Sequence, residues 1–339
     1  MRGFLALVAS ESTDEGGFAK VHVHDWEWIF FLAVVVTLLV ADLLILHREP
    51  KALSLKEAAA ESAVWIAIGL SFGLFVIWRH GGQAAGEYYS GYLIEESLSV
   101  DNVFVWAVIF TYFAVPKQYQ FRTLFWGIFG ALVLRSVFIF TGVELVRRFD
   151  AVLYAFGAFL LFTAWRIARH DETEVHPDKN LGLRLVRRVV PSQPDYDGQR
   201  LFTRISGRRL ATPLFAVLIM VETTDVLFAV DSIPAVLAVS RSAFIVFSSN
   251  AFAILGLRAL YFCLAGMAGR FRYLNVGLGF VLAFVGMKML LNQVWHPPTW
   301  LGLSTIVLFL AGSVAASVWA ERREGRHLDI EALVHPDDK

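Results

Sequence analysis

Long apolar stretches recur along the chain, and short polar segments separate them. A helix needs about 20 predominantly apolar residues to cross a bilayer, and nine stretches approach or exceed that length. They cover residues 28–47, 57–79, 88–113, 121–146, 150–169, 212–239, 244–268, 272–292 and 298–320. Their apolar residues run continuously instead of alternating with polar ones, which excludes a transmembrane β-barrel. The pattern therefore predicts an all-α, multi-pass membrane protein with nine spans.

The polar segments divide the chain into five parts. They are an outer tail at 1–27, spans one to five at 28–169, a cytoplasmic connection at 170–211, spans six to nine at 212–320 and a cytoplasmic tail at 321–339. Within the connection, LGLRLVRRVV fits either a short basic amphipathic helix on the membrane surface or a plain loop.

Lysine and arginine are distributed unevenly between the two sides of the predicted spans. With the N-terminus outside, the inner segments hold 21 of the 30 basic residues, the outer segments hold six, and three lie inside spans. Cytoplasmic segments of membrane proteins carry such an excess. We therefore expect the N-terminus outside and the C-terminus in the cytoplasm.

Composition agrees with the membrane interpretation and narrows the function. The chain of 339 residues is 57% hydrophobic and only 18% charged, whereas soluble domains carry about 25% charged residues. This excludes a disordered or nucleic-acid-wrapping protein, and we expect no nucleic-acid partner and no enzymatic activity. The single cysteine, Cys263, excludes an internal disulfide and a cysteine-based metal site. No phosphate-binding motif of the Gly-x-x-x-x-Gly-Lys-Ser/Thr type is present.

Segments on the two sides of the connection resemble each other at a nearly constant offset. Asp101 in DNVF corresponds to Asp225 in DVLF at an offset of 124, Arg135 corresponds to Arg258 at 123, and spans five and eight align at 122. Each unit holds three spans, an odd number, so the second unit is inverted relative to the first. Inverted repeats are typical of secondary transporters that bind their substrate near the bilayer midplane.

Acidic side chains lie inside spans three and six, where an ionised carboxylate costs at least about 2.5 kcal/mol. In span three, Glu95, Ser99 and Asn102 are spaced i, i+4, i+7 and share one helix face. In span six, Pro234 is expected to kink or break the helix after Asp231. The candidate metal ligands are Glu95, Asp101, Asn102, Glu222, Asp225 and Asp231, and possible supporting charges are Asp42, Glu96, Arg135, Arg258 and Lys288.

Two interpretations of these charges compete. The acids could simply pair with the three bases inside the spans, but six acids in spans three and six outnumber three bases, which favours a cation site. The available ligands are hard oxygens, which suit Mn²⁺, Mg²⁺ or Ca²⁺ better than Zn²⁺ or Cu⁺. We expect no bound cofactor, and the expected partners are a transported cation and the lipid bilayer.

Several long motifs resemble the TerC family of integral membrane proteins, in particular its Alx-type branch. They are GYLIEESLSVDNVFVW, FGALVLRSVFIFTG, FGAFLLFT, ATPLFAVLIMVETTDVLFAVDSIPAVLAV and SNAFAILGLRALYF. The resemblance covers nearly the whole chain. It implies a multi-pass protein of the bacterial inner membrane in metal-ion homeostasis, chiefly manganese export, in a family named after tellurite resistance. It also implies that the acids of spans three and six are the metal site, with Glu96 at a position where related sequences can carry a non-acidic residue.

Three classes of function remain for comparison. The first is a Mn²⁺ exporter that exchanges the metal for protons at its carboxylates. The second is a non-transport membrane scaffold or assembly factor linked to metal or tellurite resistance. An intramembrane aspartyl hydrolase is disfavoured because neither Asp101 nor Asp225 lies in a Tyr-Asp or Gly-x-Gly-Asp motif.

Overall fold

The computed structural model describes residues 18–43, 55–149, 151–169, 196–205, 208–264, 273–291 and 298–334. Within them the chain is mostly helical. The helices are α1 (Asp25–Ala41), α2 (Leu55–Tyr112), α3 (Lys117–Arg148), α4 (Ala151–Arg169), α5 (Pro213–Leu237), α6 (Ala243–Leu264), α7 (Leu274–Leu290) and α8 (Thr299–Val334). The outer tail before residue 18, the segment LGLRLVRRVV and residues 335–339 lie outside the described residues.

Five of the described helices are long and apolar enough to cross a membrane. They run over Lys56–Tyr112, Lys117–Arg148, Pro213–Leu237, Ala243–Cys263 and Thr299–Ala320, and two shorter apolar helices cover Ala151–Ile167 and Leu274–Leu290. The apolar pattern of the sequence is therefore realised as helices, and the protein is a helical membrane protein.

The predicted spans two and three are two arms of one element. α2 leaves helical geometry at Gly81, where φ is 85° and ψ is 178°, a conformation that glycine adopts without steric cost. The chain folds back there, as two hydrogen bonds between the arms show. The Tyr88 hydroxyl donates to the Gly69 carbonyl at 2.8 Å, and the Tyr89 hydroxyl donates to the Leu70 carbonyl at 2.9 Å. The two arms of α2 thus pack against each other.

The expected break at Pro234 is wrong. α5 stays helical from Pro213 to Leu237 and includes Pro234. Proline removes one backbone donor and crowds the carbonyl four residues earlier, but Pro234 stands only three residues before the end of the helix, so little of the helix depends on the lost bond. Asp231 therefore lies in a regular helix and not beside an unwound backbone.

The connection and the C-terminal tail also contain structure that the sequence pattern did not predict. Phe202–Ile205 and Arg208–Ala211 form an antiparallel pair of strands, β1 and β2, so the connection contains a short strand pair within a mostly helical protein. α8 continues through residues 321–334, which were predicted as tail.

Three helix pairings organise the core. α2 packs along α6, α3 along α5, and α4 along α7. The backbones of α4 and α7 approach each other closely at Gly157 and Gly286. A Cβ added at Gly157 would lie 3.0 Å from the Gly286 carbonyl oxygen, and one added at Gly286 would lie 2.9 Å from the Gly157 carbonyl oxygen. Small residues at such crossings allow membrane helices to approach closely. The pairings bring α2, α3 and α5 together around one buried set of charges.

Candidate functional site

Arg135 lies at the centre of a buried charge cluster that joins three helices. It belongs to α3 and is 1% exposed. Its Nε and Nη2 donate hydrogen bonds to the two Asp225 carboxylate oxygens of α5, at 3.1 and 2.8 Å, and its Nη1 donates to the Glu95 carboxylate of α2. Nη1 also lies 3.4 Å from the Ser232 hydroxyl. One guanidinium therefore serves two carboxylates, so the cluster keeps a negative surplus when both acids are ionised.

Arg258 of α6 has a second environment of the same kind. It is 2% exposed, and its Nη1 and Nη2 both donate to the carboxylate of Asp42 at the end of α1. Nη2 also donates to Glu61 Oε1 in α2 at 2.6 Å, and the guanidinium lies 4.2 Å from the ring centroid of Phe121. The two arginines that align in the sequence are thus both buried and both paired with two acids. Asp42 serves as a partner of Arg258 and not of Arg135.

A row of buried polar atoms continues from the Arg135 cluster along α2. Glu95, Ser99 and Asn102 are 0%, 0% and 2% exposed. Within the described structure, Glu95 Oε2, Ser99 Oγ and Asn102 Oδ1 are buried without a hydrogen-bond partner. Leaving a buried polar group unpaired costs about 1–3 kcal/mol, and intramembrane polar groups are commonly functional. These three oxygens are suitable ligands for a hard divalent cation.

Glu222 approaches the same region from α5, three residues before Asp225. It is partly buried, and its Oε2 is buried without a hydrogen-bond partner among the described residues. Its carboxylate packs directly on Gly130 of α3, where any added Cβ would overlap it. Gly130 is therefore the residue that lets Glu222 reach this position. The sequence analysis did not identify it.

Asp231 lies in a different environment from the other acids of α5. It accepts a hydrogen bond from the Thr163 hydroxyl of α4 at 3.2 Å, and Arg166 Nη2 is 3.9 Å from its carboxylate. The structure therefore places Asp231 at the α4–α5 contact and not with Arg135. An Arg–Asp pair of this length and exposure is a weak interaction.

The remaining predicted charges are spread over the molecule. Glu96 follows Glu95 and is partly buried, with Oε2 lacking a described hydrogen-bond partner. Lys288 of α7 lies 5.3 Å from the ring centroid of Phe18 and near Glu87, away from the Arg135 cluster. The side chain of Asp101 lies outside the described residues, although its backbone belongs to α2.

Asn250 of α6 is a candidate that the sequence analysis missed. It is 1% exposed, and both Oδ1 and Nδ2 are buried without a hydrogen-bond partner among the described residues. It follows Ser249, whose hydroxyl packs on Gly91, one turn before Glu95; a Cβ at Gly91 would lie 2.8 Å from Ser249 Oγ. The signal available in the sequence was the polar run Ser248–Asn250 inside an apolar stretch.

The geometry of the acids is that of ion pairs. Among the residues that the structure describes, no three His, Cys, Asp or Glu side chains are grouped closely enough to hold a metal ion. The arrangement instead combines an arginine that binds two carboxylates with several unpaired oxygens close by in the chain. A cation that competes with Arg135 for Glu95 and Asp225 could recruit those oxygens.

These features define a helical membrane protein with acidic and basic side chains in its core. The sequence comparisons specify the class: residues 80–325 match the integral membrane protein TerC family, and the chain belongs to that family. This confirms the resemblance of the motifs.

Relatives cover nearly the full length of the chain. It is 46% identical over 295 residues to an uncharacterized membrane protein, STKORF319, of Myxococcus xanthus, covering 87% of this chain and 92% of the relative. It is 44% identical over 309 residues to an Escherichia coli K12 protein provisionally named membrane-bound redox modulator Alx, covering 88% and 96%. An uncharacterized membrane protein of Rickettsia bellii is 34% identical over 291 residues. No solved structure matches the chain.

Proposed function

We propose that this protein is a divalent metal ion transporter of the bacterial inner membrane that exports Mn²⁺ in exchange for protons. The observation that carries the proposal is the shared position of Arg135 between Glu95 and Asp225, next to buried oxygens that lack hydrogen-bond partners. Arg135 faces two acids, so one carboxylate has no base of its own. The second acid and the unpaired oxygens are what a cation-binding site requires.

In this proposal Arg135 acts as a built-in counter-ion. With no metal bound, its positive guanidinium neutralises part of the charge on Glu95 and Asp225. This lowers the free-energy cost of holding the two carboxylates in the membrane. An arriving divalent cation takes over the carboxylates, and Ser99 and Asn102 supply further oxygen ligands. When the metal leaves, protons or Arg135 take its place on the acids.

The ligand chemistry supports a hard divalent cation such as Mn²⁺ as the substrate. Carboxylate, amide and hydroxyl oxygens bind hard divalent cations, and Mg²⁺ and Ca²⁺ share this preference. Outward movement of a divalent cation against about 100 mV costs roughly 2 × 2.3 kcal/mol. Because the sequence has no phosphate-binding motif for ATP, coupling to proton entry is the proposed energy source.

The proposal includes a topology. Nine spans cross the membrane, with the N-terminus outside and the C-terminus in the cytoplasm, and spans three to five and six to eight form inverted repeats. The lysine and arginine distribution supports the orientation. The aligned positions of Arg135 and Arg258, both buried and each bound to two acids, support the repeats, with the acids of Arg258 on spans one and two.

A scaffold or assembly factor is the second candidate, and one observation favours it. The acids Glu95, Asp225, Asp42 and Glu61 are all engaged with arginines, as purely structural groups would be. A redox role through a pair of thiols within the chain is excluded, because the chain has a single cysteine.

Cellular manganese retention separates the two candidates. Asp225→Asn and Glu95→Gln keep the size and hydrogen-bonding shape of the side chains and remove the charge. If the protein exports Mn²⁺, cells that depend on either variant accumulate it. The exposed control Glu144→Gln should behave as wild type, because in the described part of the chain Glu144 forms its ion pair with Arg148 on the surface of α3. Normal manganese levels with both site variants, at wild-type protein abundance, would favour the scaffold.

A further inference from the structure

The β1–β2 hairpin is fixed at the membrane surface where α5 begins. β2 ends at Ala211, and α5 begins at Pro213. The Thr212 hydroxyl between them donates a hydrogen bond to the Arg200 carbonyl at 2.6 Å, which ties the entry of the hairpin to its exit. Since the helix from Pro213 is long and apolar enough to cross a membrane, we expect the hairpin at the level of the lipid headgroups.

A second set of contacts attaches the segment before the hairpin to the connection between α2 and α3. The Tyr196 hydroxyl donates a hydrogen bond to the Phe113 carbonyl at 2.6 Å, and Gln199 Nε2 donates to the Gln118 carbonyl at 3.2 Å. The hairpin is therefore anchored on both sides to helix ends at one membrane surface.

The strand register places two arginines directly opposite each other. Arg204 of β1 pairs with Arg209 of β2, and like charges in directly opposed positions destabilise a strand pair. Asp197, which precedes the hairpin, accepts a hydrogen bond from the Thr203 hydroxyl at 2.7 Å and pairs with Arg200 at 3.5 Å. No carboxylate of the described residues forms an ion pair with Arg204 or Arg209. An anion between them would remove the repulsion.

The hairpin also provides a cavity for such an anion. A space of about 520 Å³ is lined by Arg200, Phe202, Thr203, Arg204 and Arg209. Phe202 and Arg204 are two residues apart in β1 and share one face of the hairpin. The Phe202 ring is 48% exposed, and its centroid is 4.6 Å from that of Phe215 in the first turn of α5. Apolar side chains such as Phe beside basic residues are typical of segments that bind the membrane interface.

We propose that this cavity binds the phosphate of an anionic phospholipid headgroup. Guanidinium groups match phosphate oxygens geometrically and can bind them in a bidentate manner. Phe202 would contact the lipid at the apolar side of the headgroup. The lipid proposal rests on the proposed topology only for the choice of leaflet. That topology places the hairpin on the cytoplasmic side of the membrane, whose surface is negatively charged.

The experiment measures phosphatidylglycerol bound to the full-length protein, by native mass spectrometry after release from nanodiscs of phosphatidylcholine with or without phosphatidylglycerol. We expect Arg204→Gln and Arg209→Gln each to bind phosphatidylglycerol about fivefold more weakly, since a basic residue near an anionic surface contributes about 1 kcal/mol. The control Arg122→Gln removes an exposed arginine from α3 near the same surface and should bind as wild type. Equal loss in the control, or no preference of the wild type for phosphatidylglycerol, would overturn the proposal.

The unfolding temperature in the same nanodiscs provides a second test, because the substitution should affect stability differently with and without phosphatidylglycerol. In phosphatidylcholine alone, Arg209→Gln should unfold at a higher temperature than wild type because the Arg204–Arg209 repulsion is gone. With phosphatidylglycerol present, the wild type should gain more stability than the variant, which binds this lipid about fivefold more weakly. Inorganic phosphate added to phosphatidylcholine nanodiscs tests whether free phosphate is the ligand. If phosphate raises the unfolding temperature of the wild type as much as phosphatidylglycerol does, the ligand is a soluble anion and the lipid proposal is wrong. If phosphate has no effect, the lipid proposal is supported. A variant less stable than wild type in both lipids would contradict the account.

Discussion

Arg135 binds Asp225 through two hydrogen bonds of 3.1 and 2.8 Å, although 90 positions of sequence separate the two residues. The pair connects α3 and α5, which lie on opposite sides of the long connection at 170–211. Because Glu95 of α2 binds the same guanidinium, one side chain holds three helices together. Any change in the charge of these three residues is therefore expected to affect both the stability of the protein and the proposed transport.

Removing the arginine alone should be strongly destabilising. Arg135→Met leaves Glu95 and Asp225 buried without their cation, and breaking a buried ion pair from one side costs about 3–5 kcal/mol. We expect the free energy of unfolding to fall by about that amount in a denaturant titration of the reconstituted protein.

Neutralising the partners should reverse most of that loss. In the triple variant Arg135→Met, Glu95→Gln, Asp225→Asn no buried charge remains unpaired, so stability should return toward wild type while Mn²⁺ transport stays absent. A triple variant as unstable as Arg135→Met would show that the cluster is not held by charge pairing.

A methyl group at Gly130 should reduce transport by displacing Glu222. A Cβ at Gly130 would overlap the Glu222 carboxylate, so Gly130→Ala should lower Mn²⁺ flux in proteoliposomes. The shorter side chain of Glu222→Asp should relieve the collision and partly restore flux in the double variant. Gly302→Ala is the matched control, since no atom lies within 4 Å of its added Cβ; an equal flux loss there would contradict a role for the contact.

The α4–α7 crossing should depend on its two glycines. Added Cβ atoms at Gly157 and Gly286 would lie 3.0 and 2.9 Å from the opposite carbonyl oxygens, and overpacking of this kind costs about 1–3 kcal/mol. We expect Gly157→Ala and Gly286→Ala each to lower the unfolding temperature. The control Gly312→Ala, whose added Cβ has no neighbour within 4 Å, should not lower it. If the two crossing variants unfold at the same temperature as the control, the helices separate easily and the close contact is not needed.

Asn250 allows function and stability to be separated. Its buried amide has no hydrogen-bond partner among the described residues. Asn250→Ala removes a desolvation cost of about 1–3 kcal/mol, which offsets the packing lost with the side chain, so the free energy of unfolding should change little. If the amide serves the transport path, Mn²⁺ flux should nevertheless fall. Wild-type flux at wild-type stability would remove Asn250 from the site.

Helix positions could be read from the sequence because burial in a bilayer requires continuous apolar residues. The predicted stretch 121–146 became α3 at Lys117–Arg148, and 212–239 became α5 at Pro213–Leu237. The effect of Pro234 was overestimated because a proline in the last turn of a helix removes only one backbone hydrogen bond, and α5 ends at Leu237. The hairpin at 202–211 was missed because its strands are short and its arginines interrupt any apolar alternation.

The site was harder to predict than the helices. Glu95, Asn102, Glu222 and Asp225 were identified individually because charged and polar groups are rare inside apolar stretches. Their partners depend on how distant helices pack, which periodicity does not encode. For the same reason periodicity does not indicate that Asp231 contacts Thr163 and Arg166, or that Gly130 faces Glu222.

The most direct test of the central claim is Mn²⁺ flux and lumenal pH recorded together in proteoliposomes that contain the full-length protein. Wild type and Glu144→Gln should move Mn²⁺ with an opposite movement of protons, and Mg²⁺ and Ca²⁺ in parallel runs define the selectivity. Asp225→Asn, folded and reconstituted to the same density, should move neither metal nor protons. Mn²⁺ flux unchanged in Asp225→Asn, or absent in the wild type, would contradict the account.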